Sequence, residues 1–536
     1  MEKVAHFLSS KAPKMGRINP ELLVLSLILL FASVLRLYKI GSYMNFLGDE
    51  GRDMIAIYEI LHGNLTLLGP ASSVGGFFLG PIYFYFAAPF IWLSRYDPSG
   101  PSIMVALFGV ATVFLVYKLG KEFFGVGAGI IASLLYAISP IAIIYSRSSW
   151  NPNIVPFFSI ATLYLLYKGV QKKKFLFLLL SGICFGILLQ LHYLATFIGM
   201  VMFLYVLTTS FLGDSQSFVS KVKLWVLSSL SVFAGFVMGF SPFILFEIRH
   251  NFLSTSKIFN FIVNSEETGV GATFVSQTWH VFLRMFGGLT SGYPVPGYYN
   301  LYSKEVLAAW IIFAAAVGAI STVFFLFTLY KKGLFRKDSL LLLLWLFIPV
   351  ILFGFYKKEI YDYYLGIVFP LPFLMVGNFI SNLWNFKKGL NPIFLKSAAL
   401  VIFGILIYTN LQRTPIKIGE NQQVKQARDA ANLVLELSGG KPFNFGLIGG
   451  GNSDHAYRYF FKLAGREPVS IENPQKDPKR LTVTDQLLVV CEKPAALCHP
   501  LGDPAWEIAG FGRAEIEGQW ASSVLTVIKL KHYTGQ

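Results

Sequence analysis

Eleven apolar runs, each close to the roughly 20 residues needed to cross a hydrocarbon core, constrain this 536-residue chain more than any other feature. They lie near residues 21–40, 101–120, 126–145, 153–170, 175–193, 195–212, 223–245, 304–330, 338–356, 362–384 and 393–411. Inside a bilayer every backbone N–H and C=O must be satisfied without water, so runs of this length read as helices. The composition agrees: 54% of residues are hydrophobic and only 14% charged, which excludes an ordinary soluble enzyme. The expected class is a polytopic α-helical membrane protein.

The net charge of +16 does not point to nucleic acid, because the basic residues form short clusters between apolar runs instead of one basic face. These clusters are Lys3/Lys11/Lys14/Arg17, Lys118/Lys121, Lys172/Lys173/Lys174, Lys221/Lys223, Lys331/Lys332/Arg336/Lys337 and Lys387/Lys388. Placing them all on the cytoplasmic side orients the chain. The segment LGPIYFYFAAPFIW, Leu79 to Trp92, is apolar but short and carries Pro81 and Pro89. If it crossed, every later lysine cluster would move outside, so it is expected to be re-entrant or interfacial. The N-terminus is then inside, and residues 41–100, 146–152, 246–303 and 357–361 form outer loops. The first run has no small-residue cleavage site after it and reads as a retained helix.

After about Arg413 the character changes. QQVKQARDAANLVLEL is amphipathic, a Gly-rich turn and HAYRYFFKLAG follow, and LTVTDQLLVVCE and SSVLTVIKL resemble strands. Residues 413–536 are therefore expected to form a small extracytoplasmic α/β domain following a membrane domain over residues 1–412. Cys491 and Cys498 pair only if this domain meets an oxidising compartment, and the sequence leaves that open.

Most polar residues of interest fall in the outer loops. GDEGRD, Gly48 to Asp53, follows the first run and opens an amphipathic helix. Asp49 and Glu50 fit a general base for an acceptor hydroxyl, or ligands of a divalent cation such as Mg2+ or Mn2+. They equally fit a helix start, with Asp49 as the cap and Glu50 and Asp53 favoured by the helix dipole. Arg52 stands beside them as a cation for a substrate. In YSRSSWNPN, Arg147 offers a phosphate-pairing cation, Trp150 a platform for a sugar ring, and Asn151 and Asn153 hydroxyl partners. The alternative there is an Asn-Pro turn with an interfacial Trp. Glu247, Arg249 and His250 follow a span directly, His192 sits between two spans, and Lys357 and Lys358 break the charge bias at a depth where lipid phosphates lie. Plain interfacial anchoring by Lys and Tyr would explain that last loop as well.

An acidic pair in the first outer loop, a re-entrant helix within that loop, and eleven spans followed by an outer domain form a specific order. It resembles the GT-C glycosyltransferases, especially the branch of protein O-mannosyltransferases and lipid A aminoarabinose transferases. GDEGRDMIAIYEILHGNLTLLGP is similar to that branch's first-loop motif. SPFILFEIRHNF resembles its segment before the large outer loop, and YDYYLGIVFPLPFLM its Tyr-containing segment ending in proline. The resemblance implies that Asp49 is the catalytic base with Glu50 beside it. It also implies that Arg249, Tyr363 and Tyr364, helped by Lys357 and Lys358, hold the phosphate of a polyprenyl-phosphate sugar. Where some members carry another acid in the second outer loop, this chain has Arg147, Trp150, Asn151 and Asn153.

The expected function is transfer of a monosaccharide from a polyprenyl-phosphate donor to a hydroxyl of a lipid, glycan or protein, with inversion, at the outer face of the cytoplasmic membrane. Such a donor brings its own leaving group, so no nucleotide-binding fold is required, and no P-loop, HExxH, GxSxG or CxxC occurs. A transporter or flippase of lipid-linked saccharides should carry charges in the middle of several spans, whereas here they collect at one surface. An O-antigen ligase or polymerase differs only in using a diphosphate-linked donor.

Overall fold

A computed structural model describes residues 19–72, 76–212, 217–264, 274–294, 296–356, 359–386 and 391–535. The chain is a mostly helical membrane protein with a small sheet domain at its C-terminal end. Among the described residues, eight helices are long and apolar enough to cross a bilayer, from Pro20–Leu37 to Pro392–Gln412. Helix starts follow from local chemistry. Asn19 accepts the Glu21 N–H at 3.0 Å with Pro20 in the first turn, and Asn391 accepts the Ile393 N–H at 2.9 Å ahead of Pro392.

Three of the expected runs form shorter helices. The run at 126–145 divides into Val126–Ile138 and Pro140–Tyr145, because Pro140 has no N–H and pushes Ser139 into extended backbone. The run at 362–384 opens with a 3-10 turn, Asp362–Ile367, and becomes α-helical only at Pro370, ending at Asn385. The run at 175–193 forms Phe175–Leu191, which stops before His192. This last helix lies against Phe218–Arg249 through glycines on both partners. A Cβ on Gly182 or Gly186 would run into the backbone of the second helix, and one on Gly235 or Gly239 into that of the first. The segment expected to be re-entrant is a 12-residue helix, Ile82–Leu93, with Pro89 inside it.

The C-terminal part carries a four-stranded sheet of order β1-β2-β4-β3, with β1 Asn444–Ile448, β2 Gln486–Cys491, β3 Ala514–Ser522 and β4 Leu525–His532. β1 and β2 are parallel and the other pairs antiparallel. Helices Gln423–Leu437 and His455–Leu463 belong to one continuous hydrophobic core shared with the membrane helices. A second, smaller core, which includes Cys491 and Cys498, joined as a disulfide, lies elsewhere in the domain.

The domain docks directly on the helix that begins with the acidic motif, Gly48–Leu61. Phe46 is buried edge-on against Tyr459 and Phe460, at centroid distances of 6.3 and 5.7 Å. Ion pairs Arg428–Asp97, Lys462–Glu59 and Lys39–Glu420, each 2.6 Å, ring this contact. Gly51 has no room for a side chain, since a Cβ there would strike the backbone of His455 and Ala456. Gly51→Val is therefore expected to destabilise the protein by roughly 1–3 kcal/mol through overpacking and to expose residues 413–536 to protease. The control Gly404→Ala, in a helix with open space around it, should leave the thermal midpoint and proteolysis pattern unchanged.

Candidate active site

The acidic motif forms the first turn of the helix Gly48–Leu61, and its capping differs from the sequence expectation. Leu47 is the N-cap residue, and Glu50 reaches back to accept the Leu47 N–H at 3.0 Å. The Gly48 N–H is taken by Asn452 Oδ1, 2.8 Å away in the C-terminal domain. Asp49 is therefore not the cap. It is released from backbone duty, and its side chain stays 55% exposed.

Arg52 binds two carboxylates at once. Its Nη1 donates to Asp49 Oδ1 at 2.9 Å, and its Nη2 and Nε donate to Asp53 Oδ1 at 2.8 and 3.1 Å. Asp53 is almost fully buried, and its Oδ2 has no partner. Burial pushes the Asp53 carboxyl up to about 7 against the opposing pull of Arg52. Burial likewise raises Glu50, with the neighbouring Asp49 adding to it. The Asp49, Glu50 and Asp53 carboxylates are each committed to Arg52 or to a backbone N–H and do not converge. Among the described residues no group of three His, Cys, Asp or Glu side chains could hold a metal ion.

Two cavities meet at Asp49 and Trp150, which line both. The larger, about 380 Å³, is enclosed by Asn45, Tyr145, Ser148 and Asn153 on the membrane side and by Gly451, Asn452 and Ser453 of the C-terminal domain. The smaller, about 220 Å³, is lined by Arg52, the loop Pro70–Ser72, Asn151, His192, Tyr193, Tyr363 and Tyr364. Its aromatic wall is continuous: Trp150 lies edge-on to Tyr363 at 4.6 Å, Tyr363 to Tyr364 at 4.6 Å, and His192 stands 5.3 Å from Tyr364. His192 Nδ1 accepts the Leu194 N–H at 3.3 Å, so the ring is a neutral tautomer with its proton on Nε2.

The structure brings Asp49, Glu50, Arg52, Trp150, Asn151, Asn153, His192, Tyr363 and Tyr364 to these cavities. It directs the others elsewhere. Arg147 lines neither cavity. Its guanidinium is buried, donates to Leu35 O and Tyr38 O at 2.7 Å each, and lies 4.9 Å over the Tyr43 ring, so it caps the end of the first span instead of meeting a phosphate. Glu247 is buried and accepts the Ser254 and Thr255 N–H groups at 3.1 and 2.8 Å, capping the helix Leu253–Asn264. Arg249 is exposed, and His250 stacks on Phe246 at 4.1 Å; neither lines either of these two cavities. Lys357 and Lys358 lie outside the described residues.

Sequence reading missed Asp53 as the buried partner of Arg52, although Asp49, Arg52 and Asp53 stand at i, i+3 and i+4 on one helix face, a spacing that could have identified them. It also missed Asn45, Ser148, Asn452 and Ser453, for which no local signal exists. Arg284, which opens a π-helical turn, pairs with Asp362 at 2.7 Å.

Residues 80–240 match the family model described as dolichyl-phosphate-mannose-protein mannosyltransferase. A putative mannosyltransferase, YycA of Bacillus subtilis (strain 168), is 34% identical over 92 residues, a match covering 17% of this chain and only 13% of that protein. ArnT from Cupriavidus metallidurans, solved bound to undecaprenyl phosphate, superposes over 95% of this chain and 97% of its own, with a TM-score of 0.58 and 11% identity. AglB, the archaeal oligosaccharyltransferase of Archaeoglobus fulgidus, solved with an inhibitory peptide and a dolichol-phosphate, gives a TM-score of 0.50 at 13% identity, covering 88% of this chain and 69% of AglB. Over nearly its whole length the chain has the fold of ArnT.

The raised Asp53 carboxyl sets a sign for stability against pH. A folded-state value near 7 against an ordinary 3.8 means the folded protein holds this proton more tightly than the unfolded chain. Its contribution is full below about pH 4 and is lost as the pH rises through 7. The difference in thermal midpoint between Asp53→Asn and wild type in detergent should therefore shift in favour of the variant as the pH rises from 5 to 8. A difference that stays constant over that range would contradict the buried titration.

Proposed function

We propose that this chain, a multi-pass membrane protein with a GT-C glycosyltransferase fold, transfers a monosaccharide from a polyprenyl-phosphate donor to an acceptor hydroxyl. The observation that carries the reading is the position of Asp49 on the wall shared by two cavities of different chemistry. The smaller cavity suits the donor headgroup. Arg52 offers a planar guanidinium for phosphate, and the tyrosines and Trp150 offer hydroxyls and ring faces for a sugar. The larger cavity, closed by the C-terminal domain, is left for the acceptor.

In this arrangement Asp49 takes the proton of the acceptor hydroxyl as its oxygen attacks the anomeric carbon. The bond from that carbon to the phosphate oxygen breaks, and the polyprenyl phosphate departs with the electron pair. Arg52, already divided between two carboxylates, can turn toward the charge that develops on the leaving group. Among the described residues Asp49 is the one exposed acid at the cavities, while Glu50 is held on the Leu47 N–H, and this favours a single displacement with inversion. Bringing both substrates to one carboxylate removes much of the entropic barrier.

Orientation belongs to the same proposal. The lysine-rich connections would face the cytoplasm and the cavities the outside of the cytoplasmic membrane. The Cys491–Cys498 disulfide favours an oxidising compartment for the C-terminal domain, taken as residues 413–536 beside a membrane domain of residues 1–412.

Two outcomes test the reading, using purified protein in liposomes with radiolabelled polyprenyl-phosphate mannose, glucose and arabinose-type donors. Asp49→Asn should lower the rate of label release or transfer by roughly 10²–10⁴-fold while donor binding and thermal stability hold. Near-normal turnover would remove Asp49 from the role of base. Arg52→Gln should raise the donor KM about tenfold or more through loss of a charged hydrogen bond, with Arg249→Ala changing it little. The reverse ranking would return the phosphate to Arg249.

A further inference from the structure

The larger cavity says more about the acceptor than the sequence does. Its uncharged polar lining consists of the amides of Asn45, Asn153 and Asn452 and the hydroxyls of Tyr145, Ser148 and Ser453, with the Trp150 indole and the Tyr145 ring as its aromatic faces. No Lys or Arg lines it among the described residues, and its only charged groups are the carboxylates of Asp49 and Glu50. An amide presents a donor and an acceptor side by side and so matches neighbouring hydroxyls, while an indole face receives the C–H face of a sugar ring. Phosphate or carboxylate on an acceptor would meet acids and no cation. A peptide in extended form would need a free strand edge or side-chain pockets, whereas the domain contributes a turn.

That turn is built to hold its shape. Asn452 Oδ1 accepts the Gly48 N–H at 2.8 Å, its Nδ2 leans on Glu492 at 3.4 Å, and Ser453 Oγ bonds His455 Nδ1 at 2.9 Å. Glu492 is itself fixed by the Tyr457 hydroxyl at 2.9 Å. On the opposite wall Asn153 donates to Ser148 O at 2.7 Å, yet its Oδ1 is buried and accepts nothing from the protein.

We propose that the acceptor is an uncharged glycan, bound between the acid helix and the turn Gly451–Ser453, so that the C-terminal domain supplies acceptor specificity. This rests on the glycosyltransferase reading above. The acceptor hydroxyl gives its proton to Asp49, its oxygen bonds to the anomeric carbon of the donor sugar, and polyprenyl phosphate leaves.

The test uses the full chain in liposomes and separates the two levels. Donor without acceptor is followed first, comparing wild type with Asp49→Asn for release of label to water. Three acceptor probes are then supplied: an alkyl-anchored neutral oligosaccharide, a Ser/Thr-rich peptide, and phosphatidylglycerol vesicles. Label should pass to the neutral glycoside, and Asn452→Ala and Asn153→Ala should each raise its KM about tenfold more than they change the donor KM. Asn153→Ala keeps the test valid if Asn452→Ala loosens the domain. Equal or faster transfer to peptide or to phosphatidylglycerol overturns the proposal, as does an unchanged glycoside KM in both variants. Donor loss to water with no transfer to any probe overturns the acceptor assignment alone. No donor loss at all overturns the glycosyltransferase reading, and this proposal with it.

Discussion

A single hydrogen bond from the Gly48 N–H to Asn452 Oδ1, spanning 404 positions of sequence, organises the end of the molecule where the C-terminal domain docks. A helix start leaves its first N–H groups unpaired, and the usual solution spends the nearest acid on them. Here Glu50 serves the Leu47 N–H and the C-terminal domain serves Gly48. Asp49 is thereby left exposed at the head of a rigid helix, with the helix dipole behind it. The same docking creates the larger cavity, because three of its lining residues come from the turn that carries Asn452. Gly48 and Gly51 allow the approach, since a side chain at either would collide with residues 452–456.

The membrane part solves the same problem at other helix ends with arginine. Arg36 is fully buried and donates to Ala137 O at 2.9 Å and Tyr136 O at 3.4 Å, at the end of the helix Val126–Ile138. Arg147 does this for the end of Pro20–Leu37. Carbonyls at a helix C-terminus carry partial negative charge, so a guanidinium satisfies them and the dipole together. This also explains why a cation at position 147 is no indication of a phosphate site. Its partners are carbonyls at the end of the helix Pro20–Leu37.

The architecture was legible where it depends on local pattern. Hydropathy identified the helical runs, Pro81 and Pro89 marked the short helix Ile82–Leu93, and the amphipathic and alternating stretches after Arg413 anticipated two helices and two strands of the terminal domain. The divisions at Pro140 and Pro370 were written in the sequence too, yet were outweighed by apolar runs long enough to span. The site was only half legible. Asp49, Trp150 and the tyrosines stand out by residue type and position, but Arg52, Arg147 and Arg249 look equally able to bind phosphate. What separates them is tertiary: one faces a cavity beside two carboxylates, one is buried on carbonyls, and one is exposed. Glu247 misleads for the same reason, since the N–H groups it caps are seven and eight residues further along.

The pairing of Asp49, Arg52 and Asp53 bears on how an exposed carboxylate can act as a base beside an arginine. A guanidinium given to Asp49 alone would place all its donors on that one carboxylate. Asp53 changes this balance. It takes two of the three hydrogen bonds Arg52 makes to the acids, and it does so from a buried position where the attraction is screened less by water. Arg52 is therefore anchored on the inner side and makes only one bond outward to Asp49, which water and an incoming substrate can both reach. In the proposed reaction the buried acid positions the arginine, the arginine faces the donor phosphate, and Asp49 remains free to meet the acceptor. A carboxylate on the inner side of the helix, touching neither substrate, would thus determine which of the two outer groups is the cation and which is the base.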